Sequence, residues 1–248
     1  MTGLFGLGLS QAFVGWWMVR SGFDDPAKHT PTLGPNQRPR VSPYRLASHW
    51  TAALTIYSGI TWHAFSLLRP TPSALHVGSE AIAAAKKLRK LALPVTACIA
   101  LTLLSGPFVA GNDAGHAYNT WPKMLDDWIP PEWLAAVSNP ATKWRAFFED
   151  TAVVQFDHRT LAYASVAGSL GVWIYGAQMP LSAAAAGAIQ LLPMAVAAQM
   201  CLGIATLMLY VPIELGVAHQ AGGVAVLTTM LFVMHTLRTA PLLVMAAL

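Results

Sequence analysis

The sequence predicts an all-α fold, a bundle of helices that cross a membrane. Of the 248 residues, 55% are apolar and only 10% are charged, and the mean hydropathy is +0.49. A soluble domain carries about 25% charged residues, so this composition argues against a water-soluble globule. Apolar runs recur that are long enough to cross a bilayer, which takes about 20 helical residues. They lack the short alternating pattern of barrel strands, and backbone groups in lipid must be bonded within their own segment, so helices are predicted.

Six of these apolar runs are predicted to be transmembrane helices. They cover residues 1–19, 44–68, 91–111, 155–178, 189–211 and 218–238. Long connections rich in Pro, Asn, Asp and Trp follow the first and third helices, at 20–43 and 112–154. The connections at 179–188 and 212–217 are short. Since the helices alternate in direction, all connections that follow odd-numbered helices lie on one side of the membrane.

The distribution of charge distinguishes the two sides of the membrane. The side reached after odd-numbered helices holds ten of the eleven acidic residues, and only Glu80 lies opposite. The opposite side carries a basic cluster from Lys86 to Lys90, together with Arg69 and Arg238. Basic clusters usually stay on the inner face of a membrane, which predicts that the acidic side faces outward.

Simple counts exclude several function classes. The formal net charge is only +4 and the basic residues are scattered, so the sequence has no nucleic-acid-binding stripe. The two cysteines, Cys98 and Cys201, lie inside apolar runs, where a thiol usually behaves as a small hydrophobe. A disulfide framework and a cysteine-based zinc site are therefore excluded.

Three of the eight histidines are predicted to lie at one depth in the membrane. His49 lies near the start of the second helix, His158 near the start of the fourth, and His219 near the start of the sixth. Even-numbered helices enter from the acidic side, so these imidazoles fall within a layer of about 8 Å, given a rise of about 1.5 Å per residue. Ionisable residues inside a bilayer are functional candidates, and a pair of imidazoles facing across a helix bundle can hold a low-spin haem iron.

A different interpretation stays open for each of these histidines. An imidazole at a helix end also caps a neighbouring helix or anchors the chain at the level of the lipid headgroups. The other histidines are weaker candidates, expected to be solvated rather than ligating: His29, His63, His76, His116 and His235.

Two arginines stand beside the predicted ligands. Arg45 precedes His49 by one helical turn, and Arg159 directly follows His158 in the segment QFDHR. A forked guanidinium near the membrane surface suits the carboxylates of haem propionates, so both arginines are predicted to bind cofactor. Snorkelling of each arginine to the interface is the alternative.

A short internal repeat connects two pairs of helices. Gln11 to Gly15 reads QAFVG before the helix that opens with His49, and Gln199 to Gly203 reads QMCLG before the helix that opens with His219. The repeat predicts two helical hairpins in equivalent places of two halves, related by an axis along the membrane normal.

Longer motifs carry a resemblance to a known family. They are LGLSQAFVGWWMVRSG, PRVSPYRLASHW, LSGPFVAGNDAGHAYNTWPKM, WIPPE, VQFDHRTLAY and LGIATLMLYVPIELGVAHQAGG. Together they touch all six predicted helices and the long third connection. In these motifs the sequence resembles the haem A synthase family, membrane enzymes that convert haem O to haem A for cytochrome c oxidase.

The resemblance implies a place for each part of the chain in an eight-helix, pseudo-twofold plan of two four-helix halves. Residues 1–68 would be the remainder of the N-terminal half, 69–90 a basic connection, and 91–248 the C-terminal, haem-binding half. The resemblance further implies that His158 and His219 ligate the iron of a bound haem B. It gives His49 a catalytic place, as a ligand to the iron of the substrate haem O.

Two helices of the family plan are not found in this sequence. By the resemblance, they would supply the partner histidine of His49 and a carboxylate associated with catalysis. Met1 opens directly in an apolar helix without a basic leader, which is typical of an internal start. We therefore expect the 248-residue chain to bind haem B without making haem A.

The implied reaction is the stepwise oxidation of a ring methyl of haem O to a formyl group, with haem B relaying or storing electrons. The sequence has no flavin or nicotinamide fingerprint, so any reductant is external. The family implies a ferredoxin-type donor and haem O synthase as partners, in the mitochondrial inner membrane or, alternatively, a bacterial cytoplasmic membrane. The lipid bilayer is a further expected partner, nucleic acid is not, and a homo-oligomer stays open.

Two other functions compete with this interpretation. The chain would be a non-enzymatic bis-histidine cytochrome that only passes electrons through haem B, or a haem-free structural subunit or transporter. A bound haem separates the haem-free alternative from the other two. Analysis of the reaction product separates the synthase from the cytochrome.

Overall fold

The computed structural model describes residues 2–23, 41–69, 78–141 and 143–238. Within these ranges the fold is all-α and contains no β-strand, which confirms the predicted fold class. The helices are α1 (Thr2–Arg20), α2 (Pro43–Leu68), α3 (Ser79–Gly111), α4 (Ala114–Ala117), α5 (Pro131–Ser138), α6 (Lys143–Glu149), α7 (Thr151–Gly176), α8 (Ala183–Ile189), α9 (Leu191–Met208) and α10 (Ile213–Thr236).

Each of the six predicted spans lies largely on a long helix, with some ends displaced. Helix α3 begins at Ser79, twelve residues before the predicted start at 91, so the basic cluster forms helical turns rather than part of a loop. The segment is rich in Ala, Lys and Leu, which favour helix. It also buries Ala84, Ala85 and Leu88 while its lysines stay exposed. The resulting amphipathic pattern explains why the helix extends beyond the apolar run.

Three helical stretches in the described part of the chain are long and apolar enough to cross a membrane by length and composition. They are Ser79–Gly111, Ala183–Met208 and Ile213–Thr236. The other predicted spans form α1, α2 and α7, of 19, 26 and 26 residues. Polar residues lower the hydropathy of these helices, among them Gln11, Arg45 and the segment 157–159. The chain is thus a polytopic helical membrane protein.

The chain forms two compact units. The first comprises Met1–Gly59, Thr102–Thr160 and Ala205–Pro212, and the second comprises Ile60–Leu101, Leu161–Ile204 and Ile213–Leu248. The predicted division of the chain at 69–90 stays a prediction.

Glycines allow close helix packing within each unit. In the first unit, a Cβ atom at Gly59 would lie 2.8 Å from a methyl carbon of Leu4. In the second, a Cβ atom at Gly168 would lie 2.9 Å from a methyl carbon of Val95. Side chains of neighbouring helices therefore rest directly on the glycine backbone, as small residues permit in membrane helices.

The segment 112–150 packs against the first turns of α2 and α7 within the first unit. The Tyr44 hydroxyl donates a hydrogen bond of 2.8 Å to Glu149, and Arg145 donates a second bond of 3.1 Å to the same carboxylate. The Tyr44 hydrogen bond is the largest single cause that lowers the pKa of Glu149 below its ordinary value, and the Arg145 guanidinium lowers it further. The rings of Tyr44, Phe108 and Phe148 contact one another with centroids 5.1 to 6.1 Å apart. These contacts hold the start of α2, the helix that carries Arg45 and His49.

Candidate functional site

His49 lies on α2 against the backbone of α1. A Cβ atom at Gly15 would lie 3.1 Å from Cε1 of the His49 ring, closer than ordinary contact. One turn earlier on α1, the amide Nε2 of Gln11 donates a hydrogen bond of 3.2 Å to the His49 carbonyl. The His49 Nδ1 atom is buried and has no hydrogen-bond partner among the described residues. Gln11 and Gly15 thus form a fitted seat for this imidazole.

His219 lies on α10 in a similar seat formed by α9. A Cβ atom at Gly203 would lie 2.7 Å from Cε1 of the His219 ring. The Gln199 Nε2 atom donates a hydrogen bond of 2.9 Å to the His219 carbonyl and lies 3.1 Å from Nδ1 of the ring. On the other side of this amide, Gly222 has no Cβ to collide with the Gln199 oxygen. Glycines on the two helices therefore leave room for the imidazole ring and for the amide group.

The two seats share one geometry. Residues four apart lie on the same face of a helix, so the Gln and Gly of each repeat face the neighbouring helix together. In both seats the glutamine binds the histidine carbonyl and the glycine leaves room for the ring, in one case within the first unit and in the other within the second. The short internal repeat in the sequence thus corresponds to a repeated histidine environment.

His158 has a different neighbour, the side chain of Ser105 on α3. The Ser105 Oγ atom lies 2.6 Å from Nδ1 of the His158 ring. The same hydroxyl is 2.8 Å from the carbonyl oxygen of Thr102, to which it donates. A Cβ atom at Gly106 would lie 3.9 Å from the His158 Cε1 atom, an ordinary contact distance. A hydroxyl group rather than a close glycine therefore sets the position of this imidazole.

Both predicted cofactor-binding arginines contact backbone carbonyls. Arg45 donates a bond of 2.8 Å to the carbonyl of Trp17, and its guanidinium lies 4.7 Å from the centre of the Trp17 ring. Arg159 is only 9% exposed and donates bonds of 2.7 and 3.2 Å to the carbonyls of Tyr118 and Lys123. Arg159 thereby ties the segment after α4 to the start of α7. Contact of either arginine with a propionate stays a prediction.

The remaining histidines differ in how far their side chains are exposed. His63 and His116 are exposed, as expected for solvated side chains. The expectation of a solvated imidazole is wrong for His235, which is only 4% exposed. The rings of Trp62 and Phe65 pack on the imidazole. Arg238 and Ser66 contact its Nε2 atom. His29 and His76 lie outside the described residues.

The histidines of the described residues suit ligation of a haem iron by single imidazoles better than binding of a metal ion by a cluster of side chains. In the described part of the chain, no three His, Cys, Asp or Glu residues come together to hold a metal ion. The Cys98 sulfur accepts a hydrogen bond of 3.4 Å from the Ser165 hydroxyl, and Cys201 is exposed. Axial ligation of haem needs single imidazoles that are held firmly, and hydrogen bonds to a ligand's second nitrogen orient such rings. Among the three candidates, His158 has a hydroxyl partner at Nδ1. The Gln199 amide faces Nδ1 of His219, and Nδ1 of His49 is buried without a partner among the described residues.

The side chain that contacts His158 was not predicted from the sequence. Ser105 lies in the motif LSGPFVAGNDAGHAYNTWPKM, but no spacing rule connects a serine on α3 with a histidine on α7. Gln11 and Gln199 were visible through the repeat, although the repeat did not indicate which atoms they bind.

The fold and these environments define a class of protein, a polytopic helical membrane protein with histidines seated against neighbouring helices. The chain belongs to the COX15-CtaA family of cytochrome oxidase assembly proteins, whose family model matches residues 1–231. The match confirms the resemblance that the motifs predicted.

Individual relatives agree with the family match. The chain is 44% identical over 238 residues to "Heme A synthase COX15" of Arabidopsis thaliana, covering 96% of this chain and 50% of the relative. It is 38% identical to "Heme A synthase" of Nitrosospira multiformis, covering 96% and 61% of the two chains. It is also 38% identical to "Heme A synthase COX15" of Homo sapiens, covering 96% and 54%. The chain thus spans about half to three fifths of the length of these curated relatives, and no solved structure matches it.

Proposed function

We propose that this chain carries the haem-binding histidines of a haem A synthase, which oxidises a ring methyl of haem O to a formyl group. The observation that carries the proposal is the repeated seat of glutamine, glycine and histidine, at His49 and again at His219. The names of the relatives support haem A as the product. The enzyme is an oxidoreductase of the membrane.

His158 and His219 are proposed to ligate haem B, and His49 to ligate the iron of haem O at a separate site. Three observations support the fit of these residues to haem. The His49 Nδ1 atom is buried without a partner among the described residues. Glycines make room for the rings of His49 and His219, and Ser105 contacts the ring of His158. When bound, haem B supplies storage and transfer of electrons between an external donor and the substrate.

The protein's own residues orient the imidazoles. Gln11 and Gln199 hold the backbone carbonyls of His49 and His219, which limits rotation of each helix about its axis. Arg45 and Arg159 lie next to the proposed ligands, where a propionate would compete with the carbonyls that these guanidiniums now bind.

The proposed partners follow from the reaction. The family resemblance implies that haem O comes from a haem O synthase and that electrons come from a ferredoxin-type donor. The proposed location is the mitochondrial inner membrane, with a bacterial cytoplasmic membrane as the alternative. A homo-oligomer is compatible with the proposal and is not required by it.

The proposal is tested by haem binding and by product analysis. Purified protein is loaded with haem B, and the Soret band and reduced α-band are recorded for the wild type, His158→Ala and His219→Ala. We expect each variant to lose haem or its low-spin spectrum. His63→Ala is the matched control, because His63 is exposed on α2, and it should bind haem as the wild type does.

Haem O supplied to cells without their own synthase tests the enzymatic part. The chain is expressed there alone and as part of a protein of the relatives' full length. Extracted pigments are separated by chromatography, and haem A from the full-length protein supports the synthase. Haem B binding without haem A from the full-length protein would instead identify an electron-transfer cytochrome. Normal haem content in both histidine variants would refute the ligand assignment.

A further inference from the structure

The Ser105 hydroxyl has two polar neighbours and one hydrogen atom to share between them. Its Oγ atom is 2.8 Å from the Thr102 carbonyl oxygen and 2.6 Å from Nδ1 of His158. A carbonyl oxygen accepts hydrogen bonds and cannot donate one, so the bond with Thr102 uses the serine hydrogen. Toward His158, the Ser105 oxygen then acts as an acceptor.

An acceptor at 2.6 Å determines which ring nitrogen of His158 carries the proton. A neutral imidazole has one N–H donor and one nitrogen with a lone pair. Both contacts of Ser105 are satisfied together only if Nδ1 of His158 is the donor. Nε2 then holds the lone pair. In this tautomer the imidazole is prepared to ligate a metal through Nε2.

His219 differs in the group that faces its Nδ1 atom. That neighbour is the Gln199 amide nitrogen, at 3.1 Å, and an amide nitrogen donates hydrogen bonds. The contact at Nδ1 of His158, with a hydroxyl, therefore differs in kind from the contact at Nδ1 of His219, with an amide nitrogen.

We propose that Ser105 is a positioning residue that keeps the proton of His158 on Nδ1, so that Nε2 is presented to the haem iron. The haem part of this inference rests on the proposed function, whereas the tautomer does not. Hydrogen bonds from a ligand's second nitrogen fix its orientation and raise its basicity. Loss of the Ser105 oxygen is expected to weaken haem B binding by about 10- to 100-fold, the usual effect of removing such a partner.

The tautomer is measured in the haem-free protein, by NMR of the chain labelled with ¹⁵N in its histidine rings and reconstituted in lipid. His158 signals are assigned by their loss in His158→Gln. We expect a protonated Nδ1 and an unprotonated Nε2 for His158 at neutral pH in the wild type and in Ser105→Thr. In Ser105→Ala the proton should shift toward Nε2. A wild-type proton on Nε2, or an unchanged tautomer in Ser105→Ala, would overturn the proposal.

Ser10→Ala is the matched control, since the Ser10 hydroxyl also binds the carbonyl three residues earlier and is exposed on α1. It should leave the His158 tautomer and haem binding unchanged. Ser105→Cys retains the side-chain volume with a weak acceptor, and it replaces Ser105→Ala if the latter does not accumulate.

Haem binding separates this inference from the proposed function. The haem B affinity and the reduction potential are measured for the wild type, Ser105→Ala and Ser105→Thr. We expect a weaker affinity and a higher potential in Ser105→Ala, with recovery in Ser105→Thr. If His158→Ala binds haem normally while Ser105 still sets the tautomer, the ligand assignment fails and the hydrogen-bond assignment stands. If His158→Ala loses haem while Ser105→Ala binds it normally, the positioning role fails and the ligand assignment stands.

Discussion

A Cβ atom at Gly203 would lie 2.7 Å from the Cε1 atom of His219, closer than such atoms approach in proteins. The glycine therefore determines where the imidazole ring lies. The corresponding distance from Gly15 to the His49 ring is 3.1 Å, so the first seat is slightly looser than the second. The two glycines give a graded test of the proposed ligand sites.

Gly203→Ala is expected to displace the His219 ring and weaken haem B retention. Inserting a methyl group into a close-packed site usually costs about 1–3 kcal/mol, and about 1.4 kcal/mol corresponds to tenfold in affinity. The haem-to-protein ratio after purification and the shape of the reduced α-band measure the effect. Gly216→Ala on the same helix is the control, because open space surrounds that position. Equal haem retention in both variants would contradict the role of Gly203.

Gly15→Ala is expected to have a smaller effect, confined to the proposed haem O site. The His49 ring needs to move by only a few tenths of an ångström to accommodate the methyl group. Haem O binding to a full-length protein should weaken by less than about tenfold, with the haem B spectrum unchanged. Gly8→Ala on α1 has no neighbour within 4 Å and serves as control. Loss of haem B in Gly15→Ala would reverse the assignment of the two sites.

Gln199→Ala removes the side chain that binds the His219 carbonyl. A hydrogen bond of this kind contributes about 0.5–1.5 kcal/mol, and the ring of His219 should become more mobile. Thermal unfolding in detergent and the width of the haem α-band report the two consequences. Gln178→Ala is the matched control, since Gln178 is exposed just after the end of α7 and its amide donates a hydrogen bond of 3.0 Å to the Ile174 carbonyl. A spectrum identical to that of the wild type would argue against positioning by Gln199.

Tyr44→Phe should reduce stability in a pH-dependent way. The Tyr44 hydroxyl holds the pKa of Glu149 below its ordinary value of 4.5 in the folded protein. A depressed carboxyl pKa contributes stability above the unfolded value, and that stability is lost as the pH falls through the folded value. The group is partly exposed, so the contribution is below about 1 kcal/mol.

Melting temperatures of the wild type and Tyr44→Phe at pH 7 and at pH 3.5 test this expectation. The difference between the two proteins should be larger at pH 7, where Glu149 is ionised, and smaller at the acidic pH. Tyr57→Phe on the same helix is the control, because it removes a tyrosine hydroxyl other than the one that donates to Glu149. A constant difference across the pH range would exclude a role for the Glu149 charge.

Arg159→Lys is expected to loosen the segment after α4 while retaining the charge. The guanidinium binds the carbonyls of Tyr118 and Lys123 at once, and a lysine ammonium does not reproduce this forked geometry. Limited proteolysis should cut between residues 112 and 130 faster than in the wild type. Arg145→Lys, which changes an exposed ion pair, should leave this cleavage rate unchanged. Unaltered cleavage in Arg159→Lys would show that the loop is held by other contacts.

The sequence alone determined the fold class and the positions of the candidate ligands along the chain. Long apolar runs in lipid must satisfy their backbone groups within each segment, so composition leads directly to helices. His49, His158 and His219 stand near predicted helix starts, and the structure places each of them within a helix, although α10 begins five residues earlier than predicted. The helical structure of residues 79–90 was not predicted from the sequence. The predicted span was located by its apolar residues, and the apolar run begins only after Lys90.

Only the tertiary structure decided which atoms contact each imidazole. Contact between Ser105 on α3 and His158 on α7 depends on how far each helix is rotated about its own axis and where the two helices approach. If a helix turns about its axis by about 100°, the angle between successive residues, each side chain faces a different neighbour. The apolar composition of the run is the same in both orientations. Hydropathy therefore specifies that a helix spans the membrane, whereas close contacts such as those of Gly203 with His219 specify the direction in which its side chains point.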